Sequence, residues 1–319
     1  MMNISVVIPN FNGETLLRQN LPKVFDIVNN YKDGEGEIII TDDSSRDGSV
    51  TFLRDFISAR KKEKTQVVLL ENKSGKNKGF SANVNKGVAH ASGDIVILLN
   101  TDVVPHEDFL KPLIEHFTDT NVFAVGCMDE SVEDGKVTLR GRGKGEWKRG
   151  FLVHSAADIE GGSTTLWVSG GSGAFRKILW NYLGGLNDLY NPFYWEDIDL
   201  SYKAQKAGYK VLFEKKSIVR HVHEEGSIKK NYSSFAVRKT AYRNQFFFTW
   251  LNATDTIILV NHIFFLPYFL FRALMRRDRA FFVGFFLAII ALPKVLQERN
   301  KIQKLVKKTD REVIRQLKS

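Results

Sequence analysis

Glu196 and Asp197 stand at the head of the most informative stretch of the chain, NPFYWEDIDLSYKAQKAGYKVLF at 191 to 213. Two adjacent acids there open a segment of helical period that stops at Gly208 and returns as a strand. The positive field of a helix N-terminus favours the ionised form of both carboxylates. An ionised carboxylate facing a hydroxyl is what a general base needs to take its proton. Trp195 and Tyr194, just before the acids, offer an apolar platform for a ligand ring, whereas Phe193 reads as core. The plain alternative for Asp197 is N-cap duty.

A second set of candidates follows apolar runs. NTDVVP at 100 to 105 closes DIVILLN at 94 to 100, the most apolar run, which is expected to be a central strand buried on both faces. Asn100 and Asp102, two apart, then point the same way. An amide and a carboxylate so placed can hold a hard divalent cation that bridges two phosphates; a strand-end cap before Pro105 is the competing reading. Asp42 follows EIIIT at 37 to 41 and can accept from a ribose hydroxyl or a base N–H, while Asp43 and Asp47 read as turn and N-cap residues. Pro9 and Asn10 end the first apolar run. Asn77 and Gly79 lead NKGFSANVNKG into a helix whose N-terminus can attract a diphosphate. RHVH at 220 to 223 offers His221 and His223 on one face, and one imidazole can complete a cation's coordination. Gly171, in LWVSGGSGAFRK at 166 to 177, lets backbone approach a ligand closely.

These residues need a scaffold that brings strand ends together. Short β-rich runs at 5 to 8, 37 to 41, 66 to 70, 94 to 100 and 122 to 126 alternate with helical patterns at about 14 to 30, 48 to 63, 80 to 91 and 106 to 118. That alternation predicts an α/β fold with a mostly parallel, doubly wound sheet, whose ligands bind at the carboxyl ends of the strands. The Gly- and cation-rich segment at 133 to 150 reads as a loop or hairpin, a candidate lid. No internal repeat interrupts the pattern.

Composition narrows the class. The 319 residues are 43% hydrophobic and 26% charged, which excludes disorder as the default. The N-terminus has no basic region or cleavage site and is not expected to be a signal peptide. Cys127 is the single cysteine, which fits a reducing compartment and a small buried apolar role. Of the net charge of +10, +9 arises from Arg272 onward, beside the apolar runs at 257 to 271 and 281 to 293. Cations flanking apolar runs point to an anionic membrane surface and not to nucleic acid. Asn261, His262 and Pro267 interrupt the first run, so interfacial or re-entrant helices are expected, with soluble core helices or a membrane-crossing hairpin as alternatives.

Taken together, VVIPNFN, ITDDSSRDGS, NKGFSANVNKG, LLNTDV, SGGSGAFRK, FYWEDIDLSYKAQKAGYKV and RHVH resemble, in order and spacing, the family 2 glycosyltransferases over residues 4 to 225. The resemblance implies a GT-A catalytic domain at 1–235, with a nucleotide-sugar part at about 1–105 and an acceptor part at about 106–235. Residues 236–319 follow as membrane-associating helices with a basic tail. It further implies that Asp42 contacts base or ribose, that Asp102 binds a divalent metal (Mg or Mn), that His221 is a candidate metal ligand, and that Asp197 is the base of an inverting transfer. Asn100 stands where many members carry aspartate, as in rhamnosyltransferase-like relatives, and the QxxRW motif of processive synthases is missing near Arg243-Asn244-Gln245. Addition of one sugar or a few is the expectation. The donor would be dTDP-, UDP- or GDP-linked, and the acceptor a lipid-linked glycan of O-antigen or capsule type at the cytoplasmic face of the inner membrane, with the enzyme peripheral or monotopic. The competing readings are a sugar-1-phosphate nucleotidyltransferase, against which PNFNGETLL shows no cation until Arg18, and a non-catalytic sugar-nucleotide-binding membrane scaffold.

Overall fold

The computed structural model describes residues 1–133, 135–222 and 232–317; His223 lies outside the described residues. In the first half, strands β1 (Ile4–Asn10), β2 (Gly36–Asp42), β3 (Gln66–Glu71) and β4 (Ile95–Leu99) alternate with helices α1 (Glu14–Asn29), α2 (Ser49–Ala59) and α3 (Phe80–His90). Each falls where the apolar period places it. The short strand β5 (Val103–Pro105) and helix α4 (Leu110–Glu115) lead to β6 (Val122–Glu133). There follow β7 (Lys136–Arg140), β8 (Gly143–Lys148), β9 (Phe151–Ala156), β10 (Ser172–Arg176), α5 (Lys177–Leu183), α6 (Glu196–Lys206) and β11 (Lys210–Val222).

The main sheet runs β3-β2-β1-β4-β10-β6-β11-β5, with β7 alongside β6. Pairings from β3 to β4 are all parallel, as the alternation predicts. Beyond β4 the sheet is mixed, because β10 enters antiparallel between β4 and β6. All five residues of β4 are buried, in keeping with its continuous apolar run. Period-2 alternation divides the core: Val6 and Ile8 face a cluster with α1, α2 and α4, and Val7 faces one with α3, α5 and α6. Cys127 is buried in the first cluster, and burial pushes its thiol up to about 12.

Of the two readings for 133 to 150, loop or hairpin, the hairpin holds, and the described residues there are mostly strand. β7 pairs β6, and β8 forms a separate hairpin with β9. Its alternating Lys136-Val137-Thr138-Leu139-Arg140 carries a strand period beneath the Gly and Lys content.

Helices α7 (Ser234–Asn252), α8 (Thr256–Met275), α9 (Arg279–Gln303) and α10 (Asp310–Gln316) complete the chain. Phe246, Phe247 and Phe248 of α7 join Tyr202 and Trp195 in a third core cluster. α8 runs unbroken through Asn261, His262 and Pro267, and His262 turns inward: its Nε2 accepts from Trp250 Nε1 at 3.0 Å and its Nδ1 meets the Gly150 carbonyl at 3.2 Å. α8 and α9 are therefore each long and apolar enough to cross a membrane, and most of each is left uncovered by the rest of the chain. Ile263, Phe264, Phe271, Met275, Phe286 and Ile290 are exposed along them.

Candidate active site

A cavity of about 370 Å³ opens at the carboxyl ends of β1, β2 and β4. Pro9 and Asn10 end β1, Asp43 follows β2, and Asn100 and Asp102 follow β4; all five line the cavity. Asn77 and Gly79 reach it at the start of α3, Gly171 just before β10, and Glu196 and Asp197 at the start of α6. Residues nearly two hundred positions apart thus share one mouth, as sheet topology requires of strand ends.

Asp42, expected to contact nucleotide, does not line the cavity. It is 2% exposed, and it accepts from Asn10 Nδ2 at 2.8 Å and from the Ser45 N–H at 3.0 Å. Because side chains alternate along a strand, the residue after it takes the opposite side and, though itself only 3% exposed, lines the cavity. Asp43 is the acid at the mouth, accepting from the Lys78 and Gly79 N–H groups at 2.8 and 3.0 Å and from Asn72 Nδ2 at 2.7 Å. It ties the turn before α3 to the end of β2. Asn10 Oδ1 is buried and meets no partner among the described residues. A buried acceptor left open at a cavity wall is poised for a ligand N–H or O–H. Asp47 keeps the turn role read for it, accepting from the Ser49 N–H at 3.1 Å.

Asp102 and His221 are brought together by strand register. β11 lies antiparallel to β5 with His221 opposite Val103, which sets Nε2 3.4 Å from Asp102 Oδ2. Asp129 of β6 lies on the other side, 3.2 Å from Nδ1. Burial alone would lower the imidazole, but the hydrogen bonds and charges of Asp102 and Asp129 outweigh it and hold His221 up at about 9. Among the described residues no three His, Cys, Asp or Glu side chains cluster as a metal site. Asp102 offers a hard cation an oxygen ligand, and His221 joins it only when the cation displaces the proton that the two aspartates hold on the imidazole, with phosphate oxygens and water completing the shell. Gly171 keeps Asn100 beside them: its carbonyl accepts from the Asn100 N–H at 2.9 Å, and a Cβ there would meet Asn100 Nδ2 at 2.5 Å.

At the start of α6 burial outweighs the helix field. Burial, reinforced by the neighbouring charge of Asp197, pushes Glu196 up to about 8, and burial pushes Asp197 up to about 6 against the opposing pull of backbone N–H groups. The two acids are therefore not both held ionised, as the dipole argument alone expects. Glu196 is 7% exposed with Oε2 unpartnered among the described residues, the situation of a protonated carboxyl. Asp197 is half-buried and accepts from the Ile198 N–H at 2.8 Å. Of the two, Asp197, which keeps a backbone N–H on its carboxylate, is the less raised.

Trp195 does not supply the platform expected of it. Its left-handed φ of +79° goes with a side chain turned inward, against Phe248 at 5.1 Å and His154 at 4.9 Å, and it does not line the cavity. Tyr194 and Phe193 line it instead, with Tyr232 packed against Phe193 at 4.8 Å. Tyr194 also has a positive φ, of +72°, and each such residue costs about 1–3 kcal/mol and persists only where its surroundings hold it. The holding group is the Arg243-Asn244 pair of α7, to which the sequence pattern assigns no role. Asn244, fully buried, points Nδ2 at the carbonyls of Tyr190, Phe193 and Tyr194, each at 2.9 Å, and Arg243 donates to the Asn191 carbonyl. The one available signal was an Arg-Asn pair within a helix rich in Phe. None of the described residues of 133 to 150 lines the cavity, so that segment is no lid in this arrangement.

The cavity's residues lie mostly within the stretch that known proteins share. The family model described as Glycosyl transferase family 2 matches residues 5–183. The O-antigen chain rhamnosyltransferase RfbN of Salmonella typhimurium is 25% identical over 225 residues, 70% of this chain and 67% of its own length. Among solved structures, GalNAc-T7 with UDP, GalNAc and Mn2+ superposes with a TM-score of 0.60 at 17% identity, covering 79% of this chain and 48% of that longer one. The mannosyltransferase PcManGT of Pyrobaculum calidifontis, with GDP-Man and Mn2+, superposes with a TM-score of 0.57 at 16% identity, covering 94% of this chain and 74% of that one. These structures share the fold, which is GT-A. The nucleotidyltransferase reading is set aside, and, since the family match covers more than half its length, the chain belongs to glycosyl transferase family 2 and is a glycosyltransferase.

Proposed function

We propose that this enzyme moves a single sugar from a nucleoside-diphosphate sugar to a lipid-linked glycan acceptor at the cytoplasmic face of the inner membrane, with inversion at the anomeric carbon. One observation carries the reading: Asp43, Asp102 and Asp197, from three separate elements, line one cavity at the carboxyl ends of the strands. The donor nucleotide lies toward Pro9, Asn10, Asp43, Asn77 and Gly79, where Asn10 Oδ1 offers its open acceptor. Asp102 and His221, beside Asn100, would hold a divalent cation, Mg or Mn; when bound it supplies positive charge against the departing diphosphate. Asp197 takes the proton of the acceptor hydroxyl as that oxygen attacks the anomeric carbon and the nucleoside diphosphate leaves from the opposite face. Glu196 stays protonated, so the charge that draws the proton resides on its neighbour. Gly171 and Tyr194 bound the acceptor side.

The similarity to RfbN and the uncovered apolar faces of α8 and α9 support an O-antigen or capsule glycan on a lipid carrier. The test is turnover of UDP-, GDP- and dTDP-linked sugars by the full chain, with Mg, with Mn and with chelator. One donor is expected to be consumed in a metal-dependent way. Asp102→Ala then lowers turnover by about 10²- to 10³-fold, and Asp43→Ala acts on donor KM by roughly tenfold. Turnover indifferent to both substitutions would place the chemistry elsewhere.

A further inference from the structure

A second cavity, of about 350 Å³, lies between the β8–β9 turn and helices α7, α8 and α9, and shares no lining residue with the first. Four cations line it: Lys148 and Arg149 from the turn, and Arg272 and Arg276 from the end of α8. The one acid in its wall, Asp278, is already engaged, pairing with Arg238 at 2.7 Å and accepting from Tyr242 Oη at 2.8 Å. Arg149, Arg272 and Arg276 have no carboxylate partner among the described residues, so the cavity carries uncompensated positive charge.

The turn and Arg149 are also held in place. Gly150, at a φ of +78°, presses against the backbone of His262, where a Cβ would come within 2.2 Å of its Cα; this seats the turn directly on α8. The Arg149 guanidinium lies over the Tyr268 ring at 4.7 Å and near that of Phe265 at 5.6 Å. Phe269 and Phe281 supply an apolar floor. Immediately outside, Phe271, Leu274 and Met275 are exposed on α8. A small soluble anion would use the cations and leave that apolar surface bare. An anion joined to hydrocarbon would use both.

We propose that this cavity seats the phosphate of an acidic phospholipid head group, with its acyl chains along the exposed face of α8. The proposal rests on the reading of α8 and α9 as membrane-associating. Tyr242 and Gln245 of α7 line this cavity while Arg243 and Asn244 between them hold the loop before Asp197, so head-group seating and the catalytic loop share one rigid element.

The experiment compares binding of the full chain to vesicles of phosphatidylcholine alone and to vesicles with a minor fraction of phosphatidylglycerol. It uses the triple variant Arg149→Gln/Arg272→Gln/Arg276→Gln and a control of equal charge change, Lys304→Gln/Lys307→Gln/Arg311→Gln. Phosphatidylglycerol is expected to tighten wild-type binding by about tenfold or more. The cavity variant loses most of that gain while keeping its affinity for neutral vesicles and its donor turnover, and the control keeps the gain. Equal loss in both variants would reduce the effect to diffuse surface charge and overturn the site. Binding to neutral vesicles with no gain from phosphatidylglycerol would also overturn it while leaving the membrane reading intact; failure to bind either vesicle would overturn the membrane reading as well. A prenyl monophosphate that tightens binding far more than phosphatidylglycerol at equal charge would overturn the head-group assignment in favour of the acceptor lipid.

Discussion

Helix α6 carries buried acid chemistry at both of its ends, and the two ends are built in opposite ways. At the C-terminal end Lys206 meets Asp310 at 2.9 Å, and Asp310 also accepts from Tyr202 Oη and from the backbone N–H groups of Thr254 and Asp255. Burial alone would raise Asp310, but the Lys206 ammonium and those N–H groups outweigh it and hold the carboxyl below its usual range. At the N-terminal end neither Glu196 nor Asp197 has a cationic partner among the described residues, and burial raises both. A fully partnered acid pins α10 onto the catalytic domain. An under-partnered pair keeps a proton within reach of pH 7, which is what acid–base chemistry uses.

Removing either acid should sharpen that contrast. Asp310→Ala leaves Lys206 buried without its partner and is expected to cost about 3–5 kcal/mol of stability, read from the denaturant midpoint, with turnover per folded molecule preserved. The depressed Asp310 contributes stability that is complete above about pH 4, the unfolded value, and is lost as pH falls through the folded one; the variant should lose this acid limb. Wild-type stability with damaged turnover would erase the distinction between the two ends.

Glu196→Gln should have the smaller effect and the opposite sign. The folded chain holds a proton on Glu196 that the unfolded chain releases at about pH 4.3, so its stability is complete below that value and declines as pH rises toward about 8. The variant removes this decline and is expected to gain on wild type as pH rises toward 9, while turnover at pH 7 stays within about tenfold of wild type. A collapse of turnover would show that Glu196 carries the reaction's charge itself.

Much of the fold is legible from period alone. EIIIT and DIVILLN give β2 and β4, and the strand ends they imply bring Asn10, Asn100 and Asp102 to one mouth. What escapes is which way a side chain turns once a strand has ended. Asp42 and Asp43 are chemically identical neighbours, and the point where the strand ends, with the bonds from Asn10 and the Ser45 N–H, decides that the first is tied down and the second faces the cavity. Trp195 looks like a sugar platform until its positive φ turns it toward Phe248. The Arg243-Asn244 brace is invisible for another reason: it acts on backbone carbonyls some fifty residues away, and carbonyls carry no sequence signature. His221 was legible as a candidate, but its meeting with Asp102 depends on the β11–β5 register.

The central claim, that Asp197 is the base and acts in a cavity that others shape for the donor, is tested most directly by Asp197→Asn, with nucleoside-diphosphate affinity and turnover measured on the same preparation across pH. The account predicts donor affinity within about threefold of wild type and turnover lower by about 10²- to 10⁴-fold. It also predicts that the rise in wild-type rate as pH passes about 6 is absent from the variant. Wild-type turnover in Asp197→Asn, or loss of donor affinity in step with turnover, would contradict it.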